Sequence, residues 1–376
     1  MSSAKIIKEN TYSVLKKRRN VIEKKLLNAI KQIGTPDPKR VAKQIVGKSV
    51  KPVFLGKGEY GAVVSFAIDR KRFAVKEART LKHEYEMMKM LHIKHLNVPK
   101  PYYIHKKGND ILAFEYASGG TVESYLKNVF NKNSEKFSRD TVRNIVTQVI
   151  TTVYKIQQMD STFRHNDMHL QNVLIEKCGK KTGYSTIKLG KLTVLKKNMG
   201  ILTLLHDLAF SNCLALPNKE VNAGKFREYG IMKYSNPIYD VHFFLNSLNS
   251  AFYGKAGFKE TADMFRDLFP FEYRMADSSK VIGYRLRGNV NHDKILPSIT
   301  KVLQHPYFKR ADPKTLAKQV ANENAIQARM CMRLKKAELV CAAKTLGFNT
   351  EKKTKLQLCE AMKSRFKGRN KVYEVL

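Results

Sequence analysis

Between residues 50 and 105 the chain runs in short apolar bursts separated by Gly and charged residues: Val53-Phe54-Leu55, Ala62-Val63-Val64-Ser65-Phe66 and Arg72-Phe73-Ala74-Val75. Bursts of this length, rich in Val and Phe, predict strands. The texture then changes to a helical pattern over Leu81 to Ile93, and Ile111 to Tyr116 predicts another strand, ended by Gly119-Gly120. Beyond it the pattern is mainly helical, interrupted by a β-rich stretch from Asn172 to Leu208. At the N-terminal end, Leu15, Ile22, Leu26, Ile30 and Ile33 fall on one helical stripe, which Gly34-Thr35-Pro36-Asp37-Pro38 breaks. The outline is α+β: a small β-rich lobe at about 50–117, a larger helical lobe at about 118–308, and basic helical extensions over 1–49 and 309–376.

Charge changes that picture most. The 376 residues hold 70 Lys+Arg against 32 Asp+Glu, a net +38. Residues 1–50 carry 13 basic and 3 acidic side chains and residues 309–376 carry 17 and 6, which leaves +17 for the middle. A field of this sign attracts polyanions such as DNA or an anionic membrane surface; a merely solvated surface is the bland alternative. Lys16-Lys17-Arg18-Arg19 reads equally as a nucleic-acid or nuclear-import patch and as a solvated helix face. No run of about 18 apolar residues predicts a membrane span. The N-terminus has no apolar signal core, and the five cysteines form no Cys-x-x-Cys. Both features predict an intracellular chain, cytoplasmic or nuclear, without a disulfide frame or a structural zinc site.

Three motifs carry chemistry. Gly56-Lys57-Gly58-Glu59-Tyr60-Gly61-Ala62-Val63 fits G-x-G-x-x-G-x-V between two strand-like runs. Glycines let a backbone approach phosphates closely, and Val63 would pack on an adenine ring. The same spacing opens dinucleotide folds, but here it leads into a strand and not a helix. Fifteen residues past Gly61, Lys76 ends the strand Phe73-Ala74-Val75. A half-buried strand Lys needs a carboxylate and an anionic ligand, and Glu84 on the next helix is the candidate, with Glu86 facing another side. The third motif is Phe163-Arg164-His165-Asn166-Asp167-Met168-His169-Leu170-Gln171-Asn172, followed by the apolar Val173-Leu174-Ile175. Asp167 can take the proton of an attacking hydroxyl, and Asn172 can ligate Mg²⁺.

In this order the residues resemble the eukaryotic-type protein kinase family over about residues 50–308. Gly56, Gly58 and Gly61 match its glycine-rich loop, Lys76 its strand lysine and Glu84 the partner on its regulatory helix. Phe114 to Gly120 is similar to its hinge, where the resemblance implies that the backbone near Glu115 and Ala117 holds adenine. His165-x-Asp167 with Asn172 resembles its catalytic loop. Tyr239 to Phe244 resembles the helix whose Asp braces that loop, and Leu303 to Phe308 the end of its last helix. The implied chemistry is transfer of the γ-phosphate of ATP, with Mg²⁺, to a protein Ser or Thr hydroxyl.

Several positions depart from the family pattern. Asn166 stands where the family has Arg, so pairing with a phosphorylated activation segment is not expected. His169 stands where Ser/Thr kinases have Lys, which resembles haspin-like, aminoglycoside-phosphotransferase-like and large-DNA-virus kinases; virion or host cell would then be its setting. Asp-Phe-Gly is missing, and Asp207 in Leu204-Leu205-His206-Asp207-Leu208 is the metal-ligand candidate, with a helix N-cap as the alternative. The 35 residues from Asn172 to Asp207 predict an inserted hairpin, Thr186 to Leu189 and Leu192 to Leu195, then Ile201 to Leu204 after a turn at Asn198-Met199-Gly200. No Ala-Pro-Glu follows, and Tyr229 to Pro237 serves as a compact substitute. In the tail, a helix from Leu334 to Leu346 and a second opened by a capping box at Thr354 to Gln357 are loosely similar to a DNA-binding SAP helix-extension-helix, or form a plain helical bundle. A pseudokinase scaffold that binds nucleic acid, and a small-molecule phosphotransferase, are the alternative functions.

Overall fold

A computed structural model describes residues 53–308, apart from 59–60, 69–70, 107–108, 180–183, 191, 234 and 275–295, together with positions 340, 353–354 and 357–358. The expected helix at 11–33 lies outside the described residues, and of those at 334–346 and beyond Thr354 only Val340, Gln357 and Leu358 are described, all three helical. Two compact units are formed. One holds the described residues up to His92 and Pro99–Tyr116; the other holds Ile93–Val98 and the described residues from Ala117 to Phe308.

In the first unit, β1 (Val53–Gly58), β2 (Gly61–Ile68), β3 (Lys71–Ala78), β4 (Pro101–Lys106) and β5 (Asn109–Glu115) form one antiparallel sheet in the order β1-β2-β3-β5-β4. Phe73, Ala74 and Val75 are buried, so central β3 has the near-continuous apolar run of a covered strand. Helix α1 (Lys82–Ile93) buries Met87, Met88 and Leu91 at helical spacing. It begins where the buried carboxylate of Asp110, on β5, accepts the Leu81 N–H at 2.8 Å. A cap supplied from 29 residues away is not legible locally.

The second unit is mainly helical: α2 (Val122–Lys132), α3 (Glu135–Met159), α4 (Lys219–Asn222), α5 (Tyr239–Phe252), α6 (Lys259–Leu268) and α7 (Ile299–Gln304). Helix α3 is the axis of the core, with Ile145, Val146, Val149, Ile150 and Val153 buried. Its Thr- and Val-rich middle has poor intrinsic helix propensity, which burial overrides. Two small ladders lie on it, β6 (Val173–Lys177) with β9 (Ile201–Leu205) and β7 (Tyr184–Leu189) with β8 (Leu192–Lys197). The side chain of Gln148 on α3 joins β9 by donating to Ile201 O and accepting from Thr203 N–H, both at 3.2 Å. The inserted hairpin therefore forms as its sequence predicts. After α7, Tyr307 and Phe308 are buried, and the Tyr307 hydroxyl lies 2.9 Å from Thr261 Oγ1. Cys213 is a buried free thiol.

Candidate functional site

The first unit contributes the glycine hairpin and the strand lysine. Gly58 pairs with Gly61 at the end of the β1–β2 ladder, and the register shifts between Phe54 and Gly56, so a bulge precedes the tip. Val63 stands opposite both Gly56 on β1 and Lys76 on β3. The Lys76 ammonium is 3.0 Å from Glu84 Oε2, with both side chains buried. An ion pair this dry persists only with good geometry, because each charge loses several kcal/mol of hydration. It presents a fixed cation beside the glycine hairpin, chemistry that suits an anionic phosphate. Glu115 ends β5 with its N–H on Lys100 O at 3.2 Å. Ala117, of the second unit, is buried against Leu202 and Leu204, and its carbonyl accepts Gly120 N–H at 3.3 Å.

In the second unit the loop 163–172 is fixed from beneath. Asp240, fully buried on α5, accepts His165 N–H at 2.7 Å on Oδ2 and Asn166 N–H at 2.9 Å on Oδ1. Two charge-assisted bonds to backbone hold a strained turn, since Asn166 has φ of 67°. Asn is one of the few residues that tolerates that region, and its Nδ2 also donates to Phe210 O at 2.9 Å. Arg164 is buried as well and spans to Ser235 O and Asn236 O at 3.1 and 3.0 Å. Asn172 Nδ2 donates to the carbonyl of Asp167 at 2.8 Å and to its Oδ2 at 2.9 Å. That geometry leaves the amide oxygen of Asn172 as a hard oxygen donor beside the Asp167 carboxylate.

The excursion from Asn172 to Asp207 closes on itself because Val173 pairs with Leu205 across the β6–β9 ladder. The ladder runs on into the loop: His206 N–H donates to Asn172 O at 2.9 Å, and the His206 carbonyl is 2.9 Å from His165 Nε2. Asp207 thus returns beside Asn172. It lies in irregular chain at φ of 55° and starts no helix, so the N-cap alternative is excluded. Asn172 and Asp207 fit Mg²⁺, which is commonly held by one or two protein oxygens together with substrate phosphates. Among the described residues no group of three or more His, Cys, Asp and Glu side chains forms a protein-only metal cage.

His169 lies 3.5 Å from Asp167 Oδ2 through Nε2. Burial is the largest single influence on its pKa and lowers it. The bond to Asp167 and the charges of Asp167, Asp207 and Glu123 outweigh burial together and hold the imidazole above its usual value. Glu123 in turn is held below the usual carboxylate range, first by its bond from Lys127 and then by that from Gln171. Sequence reasoning did not single out Gln171, Glu123, His206 or the anchoring of Arg164. Their roles depend on contacts across 41 to 72 residues for His206 and Arg164 and across 48 for Gln171.

Residues 50–194 match the protein kinase domain family. The chain is also 29% identical over 174 residues to a protein of Acanthamoeba polyphaga mimivirus whose name marks it as a candidate serine/threonine-protein kinase. That match covers 44% of this chain and 36% of the relative, so this chain spans about a third of the relative's length. A crystal structure of the BubR1 kinase domain aligns over 74% of this chain and 86% of its own, with 14% identity and a TM-score of 0.42, too distant to add weight. Together with the motif order, these matches make the chain similar over residues 50–194 to the protein kinase domain family, and over 174 residues to a viral protein named as a kinase.

Proposed function

We propose that this chain is an ATP-dependent protein serine/threonine kinase. The observation that carries the reading is the braced loop, in which Asp240 fixes the backbone and Asn172 fixes the Asp167 carboxylate. Asp167 would accept the proton of the substrate hydroxyl. Lys76, held by Glu84, would engage the α- and β-phosphates under the hairpin of Gly56, Gly58 and Gly61. Val63 and the backbone at Glu115 and Ala117 would receive the adenine, and Asn172 and Asp207 would hold Mg²⁺. ATP supplies the phosphoryl group when bound, and Mg²⁺ neutralises charge on it. The residues contribute mainly position and electrostatic complementarity.

Incubation with radiolabelled ATP, Mg²⁺ and generic protein substrates is expected to label protein. Asp167→Ala should reduce the rate by roughly 100- to 10,000-fold, the usual contribution of a general base. Tight ATP binding with no labelling by the wild type would establish the scaffold alternative. Label found only on small molecules would favour the other phosphotransferase reading, which His169 supports.

The net charge of +38 supports a second property, contact with a polyanion such as DNA. Affinity of the full chain for duplex DNA should then fall steeply and linearly on a logarithmic plot against salt. A flat salt response would remove the idea.

A further inference from the structure

The imidazole of His169 is engaged at both nitrogens. Nδ1 accepts the backbone N–H of Gln171 at 3.2 Å, and a ring nitrogen that accepts carries no proton in the neutral form. The proton therefore sits on Nε2, which faces Asp167 Oδ2 at 3.5 Å. Gln171 is itself fixed, since its Nε2 donates to Glu123 Oε2 at 2.8 Å. The ring of Phe243, from α5, stands edge-on to the imidazole at 6.1 Å and limits its rotation. Asp167 Oδ2 also accepts Asn172 Nδ2 at 2.9 Å. Both neighbouring donors thus address one oxygen, and Oδ1 accepts no hydrogen bond among the described residues.

We propose that His169, as the neutral Nε2–H tautomer, is a positioning residue that donates to Asp167 Oδ2 and so makes Oδ1 the oxygen that takes the substrate's proton. The inference rests on Asp167 being the base. In the proton step the hydroxyl O–H bond breaks and an Oδ1–H bond forms, with no charge change at His169. A Lys at this position, as Ser/Thr kinases have, would bring a permanent cation; the imidazole brings a directed donor without one. The separation of 3.5 Å is long for a hydrogen bond, and bonds in an active site commonly tighten when substrate binds.

The tautomer is readable without turnover. Long-range ¹H–¹⁵N correlation on the full chain, followed upward in pH until the His169 ring signals stop moving, should show a protonated Nε2 and a bare Nδ1. The His169 signals are assigned by their loss in His169→Gln. The reverse tautomer would overturn the proposal. In kinetics, His169→Gln keeps an amide N–H at the reach of Nε2, whereas His169→Asn reaches only as far as Nδ1. We expect His169→Gln to stay within about 10-fold of the wild-type kcat and His169→Asn to lose about 100-fold, with KM for ATP within about twofold in both. Equal losses in the two variants, or an effect confined to KM, would refute the role. Wild-type activity in Asp167→Ala would instead sink the base assignment on which the inference stands.

Discussion

Two strands, one in each unit, carry a buried lysine, and the two lysines meet opposite fates. Lys76 on β3 is 6% exposed and Lys196 on β8 is 3% exposed. Lys76 donates to Glu84 at 3.0 Å. Lys196 has no carboxylate partner among the described residues; burial, and then the nearby charge of Lys155, pushes its pKa down to about 7. Burial alone therefore does not mark the lysine proposed to serve an anionic ligand. What distinguishes Lys76 is a buried carboxylate that keeps its charge in place where water cannot. Lys196 instead sits on the face of β8 that also buries Val194, where the neutral form is favoured.

The contrast breaks most sharply at Lys76. Lys76→Met leaves Glu84 buried and uncompensated, and should destabilise the chain by roughly 3–5 kcal/mol and abolish ATP binding. Adding Glu84→Leu should restore most of the stability, seen in denaturant unfolding, without restoring ATP binding. If the single variant unfolds as the wild type does, the pair has no structural weight. Lys196→Met works in the opposite direction: replacing an unpaired buried amine by an apolar chain of similar size should stabilise by about 1–4 kcal/mol at neutral pH. The pH dependence has a definite sign. The folded pKa of Lys196, about 7, lies below the unfolded value near 10.5, so the unfolded chain binds more protons between those values. Its penalty is therefore complete below pH 7 and is relieved as pH rises toward 10. Stability curves of wild type and Lys196→Met should converge over that window, and parallel curves would show that Lys196 is not the titrating group.

Much of this was legible from residue order. The glycine hairpin, the strand that carries Lys76, the choice of Glu84 over Glu86 and the inserted hairpin all follow from local periodicity, because neighbours in a strand or helix set which side chains share a face. Strand β4 was not legible: Pro101 opens it, it lies at the sheet edge, and its pairing with β5 supplies the reason it is a strand. Lys196 was equally opaque. Leu195-Lys196-Lys197 looks like a solvated strand end, yet one lysine is buried and the next pairs with Asp140 on α3 at 2.9 Å.

The sequence by itself determined which chemical groups this protein has and, through strand and helix periods, which local elements carry them: a glycine-rich hairpin, a strand lysine with a helix carboxylate, and an Asp-Asn pair before a strand. Only the tertiary structure decided how those groups are held. It brought Asp240 under the turn at Asn166, returned Asp207 to Asn172 after an excursion of 35 residues, and set Gln171 N–H against His169 Nδ1. The physical reason is that a hydrogen bond or ion pair is satisfied by whichever partner the packed chain presents, at any separation in sequence. Side-chain pattern encodes burial and period, whereas direction and partner arise only when the surfaces meet.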